Sequence, residues 1–228
     1  MRHLRSAVVS LLLIALCAAT AHAGFMEVPL PTENLALQSL TNGGFYPTSG
    51  PLTVGGVPFS IAQDVNGNNM WAGIVAGPPF PTSHDIPVNV FGVTSAYTLM
   101  NSFFGACGST IGSVEFKGSG GADVTFNLVE GANIRDHFVG GFCNTIAART
   151  PTIDFGGDVH LDRQTFSLPS AFQSQTLTHI IVTDFGLGGQ GEPFITSVTV
   201  STSVPEPSSS SAPVSPGWPA PPGGDRRK

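Results

Sequence analysis

The sequence predicts an all-β protein, a two-sheet β-sandwich or jelly roll of about nine or ten strands. Three observations lead there. Short strand-like runs recur between turn signals from residue 52 to residue 202. Glycine is frequent, at 28 of 228 residues, and phenylalanine, at 16, is the dominant aromatic, which suits tight turns around a Phe, Val, Ile and Leu core. No stretch offers a convincing long helix at 3.6 periodicity; residues 100–104 come nearest, and the Phe and Gly around them argue against it.

Taken in order, residues 24–52 read as irregular, with Pro29, Pro31, Pro47, Pro51 and the Gly43-Gly44 pair. Strand-like runs follow at 52–62, 71–75, 86–93, 97–104, 113–117, 122–129, 134–138, 159–168, 176–185 and 194–202. Alternation is cleanest in two of them. Val114 and Phe116 oppose Glu115 and Lys117, while Val124, Phe126 and Leu128 oppose Thr125 and Asn127. Such strands have one buried and one wet face. Gly118-Ser119-Gly120-Gly121 between them reads as a hairpin turn. Gly186-Leu187-Gly188-Gly189-Gln190-Gly191 matches a dinucleotide fingerprint, but Glu192-Pro193-Phe194 leads into another β run rather than a helix, so it reads as a hairpin loop.

The first 23 residues have the three parts of a secretory signal peptide. Arg2 and Arg5 form a basic start, residues 7–19 an apolar core, and Ala21-His22-Ala23 a cleavage site before Gly24. The apolar run falls short of the roughly 20 residues that span a bilayer. Cys17 follows Leu16 rather than a small residue, which disfavours a lipoprotein. Export then leaves Cys107 and Cys143, expected to pair in an oxidising compartment. Two cysteines without a His cluster make a poor zinc site. The predicted organisation is a signal peptide over 1–23, one β-sandwich domain over 24–203, and a disordered Pro/Ser/Gly tail over 204–228.

Charge narrows the partners. Charged residues make up 11% of the chain, and between Gly24 and Ser203 thirteen acids face four bases, a formal charge of −9. A phosphate backbone needs a basic face, so the charge disfavours nucleic acid and anionic lipid as partners. Neutral polymers such as polysaccharides are electrostatically allowed.

Four groups of residues carry candidate chemistry. Asn133-Ile134-Arg135-Asp136-His137 concentrates planar donors and acceptors that suit vicinal hydroxyls; the alternative is an internal Arg–carboxylate tie, with Asp162 on Arg135 or Arg163 on Asp136. Trp71 is the one tryptophan of the domain, either a stacking platform for a sugar or a core residue. Asp64, Asn66 and Asn68 place oxygens as a calcium loop begins, but Asn69 stands where the loop glycine belongs and Val75 where its last acid belongs; the alternative is an Asx turn. No other cofactor is indicated. Enzyme signatures are absent: there is no Gly-x-Ser-x-Gly, no His-Glu-x-x-His and no phosphate loop. Glu115 with Asp136 is one candidate for the facing carboxylates of a glycosidase.

Two resemblances add to this reading. Val204-Pro205-Glu206-Pro207 resembles the start of the PEP-CTERM sorting signal of bacterial exported proteins. In that family an apolar helix and an Arg cluster follow. This chain ends in Arg226-Arg227-Lys228 but has no apolar run between, so no membrane anchor is evident and release is expected. The domain resembles galactose-binding-like jelly rolls, the carbohydrate-binding modules appended to glycoside hydrolases. The stretches concerned are 57–61, 93–105, 114–116, 133–137 and 161–164. The resemblance implies a β-sandwich that binds sugar. The expectation is therefore an exported, non-catalytic module contacting polysaccharide in a cell envelope or extracellular matrix. The alternatives are a structural matrix protein acting by protein–protein contact, or a small glycosidase or lyase.

Overall fold

Two antiparallel sheets face each other across one core, and a small hairpin covers the outer face of the larger sheet. The computed structural model describes residues 24–41, 45–73, 82–146, 149–187 and 191–203. The segment expected to be a signal peptide, with Ala23, the glycine loop at 188–190, and the expected tail with Val204–Pro207, read as a sorting motif, lie outside the described residues. The larger sheet has the order β1 (Gly24–Val28), β12 (Glu192–Thr202), β6 (Val93–Phe103), β10 (Val159–Ser167), β9 (Thr152–Gly156). β4 (Trp71–Ala72) shares the outer side of β12 with β1. The smaller sheet runs β5 (Ser83–Phe91), β11 (Thr176–Asp184), β7 (Thr110–Gly118), β8 (Asp123–Val129). β2 (Gly50–Val54) and β3 (Val57–Ile61) form the hairpin. The only helical pieces among the described residues are short 3₁₀ turns, Leu37–Thr41 and Ser170–Ser174.

The sandwich core holds Ile86, Val114, Phe116 and Ile180 from the small sheet against Met100, Phe166, Ile195 and Val198 from the large one. A second core lies on the other face of the large sheet, where Phe59, Ile61 and Leu37 cover Leu99, Leu161 and Phe194. β12 is therefore buried along nearly its whole length. Its hydroxyls find partners in the covering hairpin: Ser197 Oγ donates to Ser60 O (2.9 Å) and Thr199 Oγ1 to Pro58 O (2.6 Å). A bulge between Ile195 and Ser197 resets which β12 side chains face which core.

Several expectations need correction. Residues 24–52 are not wholly irregular, because β1 pairs along β12 from Gly24↔Thr202 to Val28↔Val198. The run at 52–62 is two strands, turned at Gly55 and Gly56, whose φ of 58° and 81° suit glycine. β9 was not foreseen, and the strands among the described residues number twelve; the run expected at 97–104 is present within β6, which ends at Phe103. Residues 134–138 form isolated bridges rather than a strand of a sheet. The loop at 186–191 is not a hairpin, since β11 and β12 belong to different sheets. The Gly118–Gly121 hairpin is present, with Lys117 opposite Asp123 and Gly118 N–H bonded to Ala122 O.

Candidate functional site

The site is built where β6 and β10 part. Their ladder runs from Ser95↔Ser167 to Leu99↔Arg163 and then stops. Residues 134–139 fill the opening. Ser102 N–H donates to Arg135 O, His137 N–H to Ser102 O, and His160 N–H to His137 O. The Asn101 side chain bridges the gap, its Oδ1 taking the Asp162 N–H (2.8 Å) and its Nδ2 donating to Asp162 Oδ2 (3.1 Å). Arg135 closes the arrangement with a bidentate pair, Nε to Asp162 Oδ2 (2.7 Å) and Nη2 to Oδ1 (2.9 Å). Of the two ties considered from the sequence, Asp162 with Arg135 is the one formed.

This insertion sets Asp136, His137 and Phe138 into a cleft of about 490 Å³, walled by Phe103, Phe104 and Phe142. The Asp136 carboxylate accepts from the backbone of two walls at once, Phe104 N–H at Oδ2 and Phe138 N–H at Oδ1, each at 2.7 Å. Phe104 sits at φ 57°, an uncommon conformation for a bulky residue, and this bond helps to hold it. Phe104, Phe138 and Phe142 are 48, 44 and 51% exposed, whereas Phe103 is buried against Phe194. Phe104 and Phe142 meet edge to face at 5.1 Å. The Cys107–Cys143 disulfide and the Cys143 N–H to Gly105 O bond (2.8 Å) tie together the loops that carry them.

His137 supplies a polar point. The Tyr46 hydroxyl lies 3.1 Å from His160 O and 2.9 Å from His137 Nδ1. The carbonyl can only accept, so the phenol proton is assigned to it and Nδ1–H donates to the phenol oxygen. The lone pair then resides on Nε2. Burial, with His160 adding to it, pushes His137 down to about 4, so the ring is a neutral acceptor at neutral pH.

The other sequence candidates lie elsewhere. Trp71 is 1% exposed and stacked on His84 (5.1 Å, 9°), so it offers no ring face to a ligand. Asn133 braces its own turn, accepting Val129 N–H and donating to Asn127 O. Asp64 accepts the backbone N–H groups of Asn66 and Asn68, each at 2.8 Å, and both their side-chain amides, which is the geometry of an Asx turn. Among the described residues no group of three or more His, Cys, Asp or Glu is placed to hold a metal. The sequence reading missed Phe104, Phe138 and Phe142, since phenylalanine in a Phe-rich chain reads as core. Gly105, Gly140 and Gly141 beside them were the available signal.

No protein-family model matches the chain, and no curated protein matches it. The site must be read from its own chemistry.

Beneath the Phe104 wall lies Glu130, 1% exposed, neither of whose oxygens makes a hydrogen bond of sound geometry. A side chain at Gly105 would collide with its carboxylate. Burial raises Glu130 to about 7; the Ser102 hydroxyl opposes the rise and Asp136 adds to it. The unfolded chain loses this proton near 4.5 and the folded chain near 7, so Glu130 lowers stability as pH rises between those values. The difference amounts to about 3 kcal/mol. His84 and His137, both held down to about 4, act oppositely and lower stability as pH falls below about 6.5. Glu130→Gln leaves those two in place. Its stability advantage over the parent is expected to grow by about 3 kcal/mol from pH 4.5 to pH 8 in urea titrations, and an advantage independent of pH contradicts the assignment.

Proposed function

We propose that this is an exported, non-catalytic β-sandwich module that binds polysaccharide of a cell envelope or extracellular matrix through the phenylalanine cleft. The observation that carries the reading is the placement of three exposed rings, Phe104, Phe138 and Phe142, around one neutral acceptor, His137, in a cleft of about 490 Å³. Small-ligand sites commonly have volumes of about 300–1,000 Å³ and apolar walls with few polar groups. The C–H face of a sugar ring suits such walls, and one hydroxyl can donate to His137 Nε2. Arg135 stands outside recognition in this account, because its fork is spent on Asp162. The two-carboxylate route of glycosidases needs a second acid, and Asp136, the one carboxylate among the described residues that line the cleft, has both oxygens bonded to backbone. The acidic surface agrees with neutral rather than phosphate-bearing polymers.

The test is a glycan array with the mature chain, with and without calcium, followed by titration of the best neutral oligosaccharide against Phe142→Ala. Truncating an exposed wall leaves the fold intact and is expected to weaken binding about tenfold, or ~1.4 kcal/mol. Unchanged affinity counts against the cleft, and an array with no binder at millimolar sugar counts against the function. The alternative of a matrix protein acting by self-contact draws on edge strand β1, where Phe25 and Met26 are 42 and 39% exposed. Concentration-dependent association on sizing, abolished by Phe25→Lys, favours it.

A further inference from the structure

The cations of the domain are unevenly neutralised. Lys117 Nζ lies 2.9 Å from Glu115 and 3.8 Å from Asp123, and Arg135 is paired with Asp162. Arg149 and Arg163 have no acidic partner among the described residues, and both line a second cavity, of about 200 Å³, with Asn133, Thr150 and Thr165. Arg163 is fixed. Its Nη1 donates to Gly55 O (2.6 Å) and Val54 O (3.3 Å), and its guanidinium lies 5.4 Å over the Tyr97 ring. Its backbone N–H donates to Pro151 O (2.9 Å), which brings the segment carrying Arg149 against β10. Arg149 itself is exposed. Two residues of like charge line one concavity on a domain of formal charge −9, with no acidic partner for either among the described residues.

We propose that this cavity binds an oxyanion, and that its ligand is a carboxylate carried on an otherwise sparsely charged glycan. Arg163 has Nη1 on Gly55 O and Val54 O and its Nε buried, so it offers Nη2 alone, and the exposed Arg149 supplies the fork that matches a planar carboxylate with two parallel hydrogen bonds. The glycan part rests on the polysaccharide reading above; the anion part stands without it. Asn133 lines this cavity and Asp136 lines the aromatic cleft, and three residues of chain span at most about 10 Å. An oligosaccharide that reaches both would lay a ring on the phenylalanines and a uronate against the arginines. A dense polyanion is disfavoured, because its further charges meet the acidic remainder of the surface.

The test uses the mature chain and four probes: acetate, inorganic sulfate, an oligouronide, and the same oligouronide with its carboxyls reduced. Binding is followed by NMR of the arginine side chains and of Phe142, with Arg149→Gln as the variant, an exposed substitution that keeps the fold. Saturable shifts at Arg149 and Arg163 with the anionic probes are expected. The oligouronide should bind about tenfold more tightly than its reduced form, an advantage that Arg149→Gln removes. No saturable shift with any anion, or equal binding by Arg149→Gln, overturns the site. Acetate or sulfate binding as tightly as the oligouronide overturns the glycan as its carrier. If the polysaccharide reading alone fails, acetate still shifts Arg149 while the reduced oligouronide leaves Phe142 unmoved.

Discussion

Asp162→Ala is expected to destabilise the protein by about 3–5 kcal/mol, enough to leave much of a marginally stable domain unfolded. Asp162 is fully buried, and its carboxylate accepts from Arg135 Nε and Nη2, Asn101 Nδ2 and Thr152 Oγ1. Truncation strands a guanidinium whose side chain is 18% exposed and leaves Asn101 and Thr152 short of a partner. The same carboxylate holds together the place where β6, β10 and residues 134–139 meet, so loss of the pair opens the wedge under the cleft. Replacing both partners, as Arg135→Met with Asp162→Leu, removes the uncompensated charge and is expected to recover at least half of the loss. Urea unfolding of the parent and these two variants measures this. A loss below about 1 kcal/mol in Asp162→Ala shows the pair to be peripheral to stability.

Removing the disulfide is expected to have an effect of similar size. Cys107 and Cys143 are 36 residues apart, and a loop of that length contributes about 4 kcal/mol in the chain-entropy account. The bond also joins the Phe104 loop to the Phe142 loop. Cys107→Ser with Cys143→Ser should therefore weaken oligosaccharide binding at a temperature where the variant stays folded. Unfolding with and without reductant gives the stability term, and titration of the folded variant gives the binding term. Reduction that lowers stability and leaves affinity untouched separates the two roles and removes the disulfide from the site.

The sandwich was legible where the chain alternates. The Val114–Lys117 and Val124–Leu128 stretches declared a one-sided hairpin, and the Gly118–Gly121 turn declared its register. β12 read as a strand but gave no hint of burial on both faces, since Ser197 and Thr199 look like solvent-facing residues until a second layer hydrogen-bonds them. β1 and β9 escaped because they are short edge strands whose pairing is decided by partners far away in sequence. Within the site, Asp136 and His137 were found by the clustering of polar types, and Arg135 with them. Their division of labour was not legible. Whether an arginine reads a ligand or locks a carboxylate depends on which strand lies beside it, and only the parting of β6 and β10 puts Asp162 there. The aromatic residues exchanged roles for the same reason: Trp71 was drawn inward on β4, while Phe104 and Phe142 were held outward by a glycine loop, a carboxylate and a disulfide.

The most direct measurement is an NMR titration of the isotope-labelled mature chain with the neutral oligosaccharide that binds best on the array. The account predicts saturable shifts concentrated on Phe104, His137, Phe138, Gly140, Gly141 and Phe142, with the rest of the sandwich unmoved. Shifts centred on another face, or none at millimolar sugar, would contradict it.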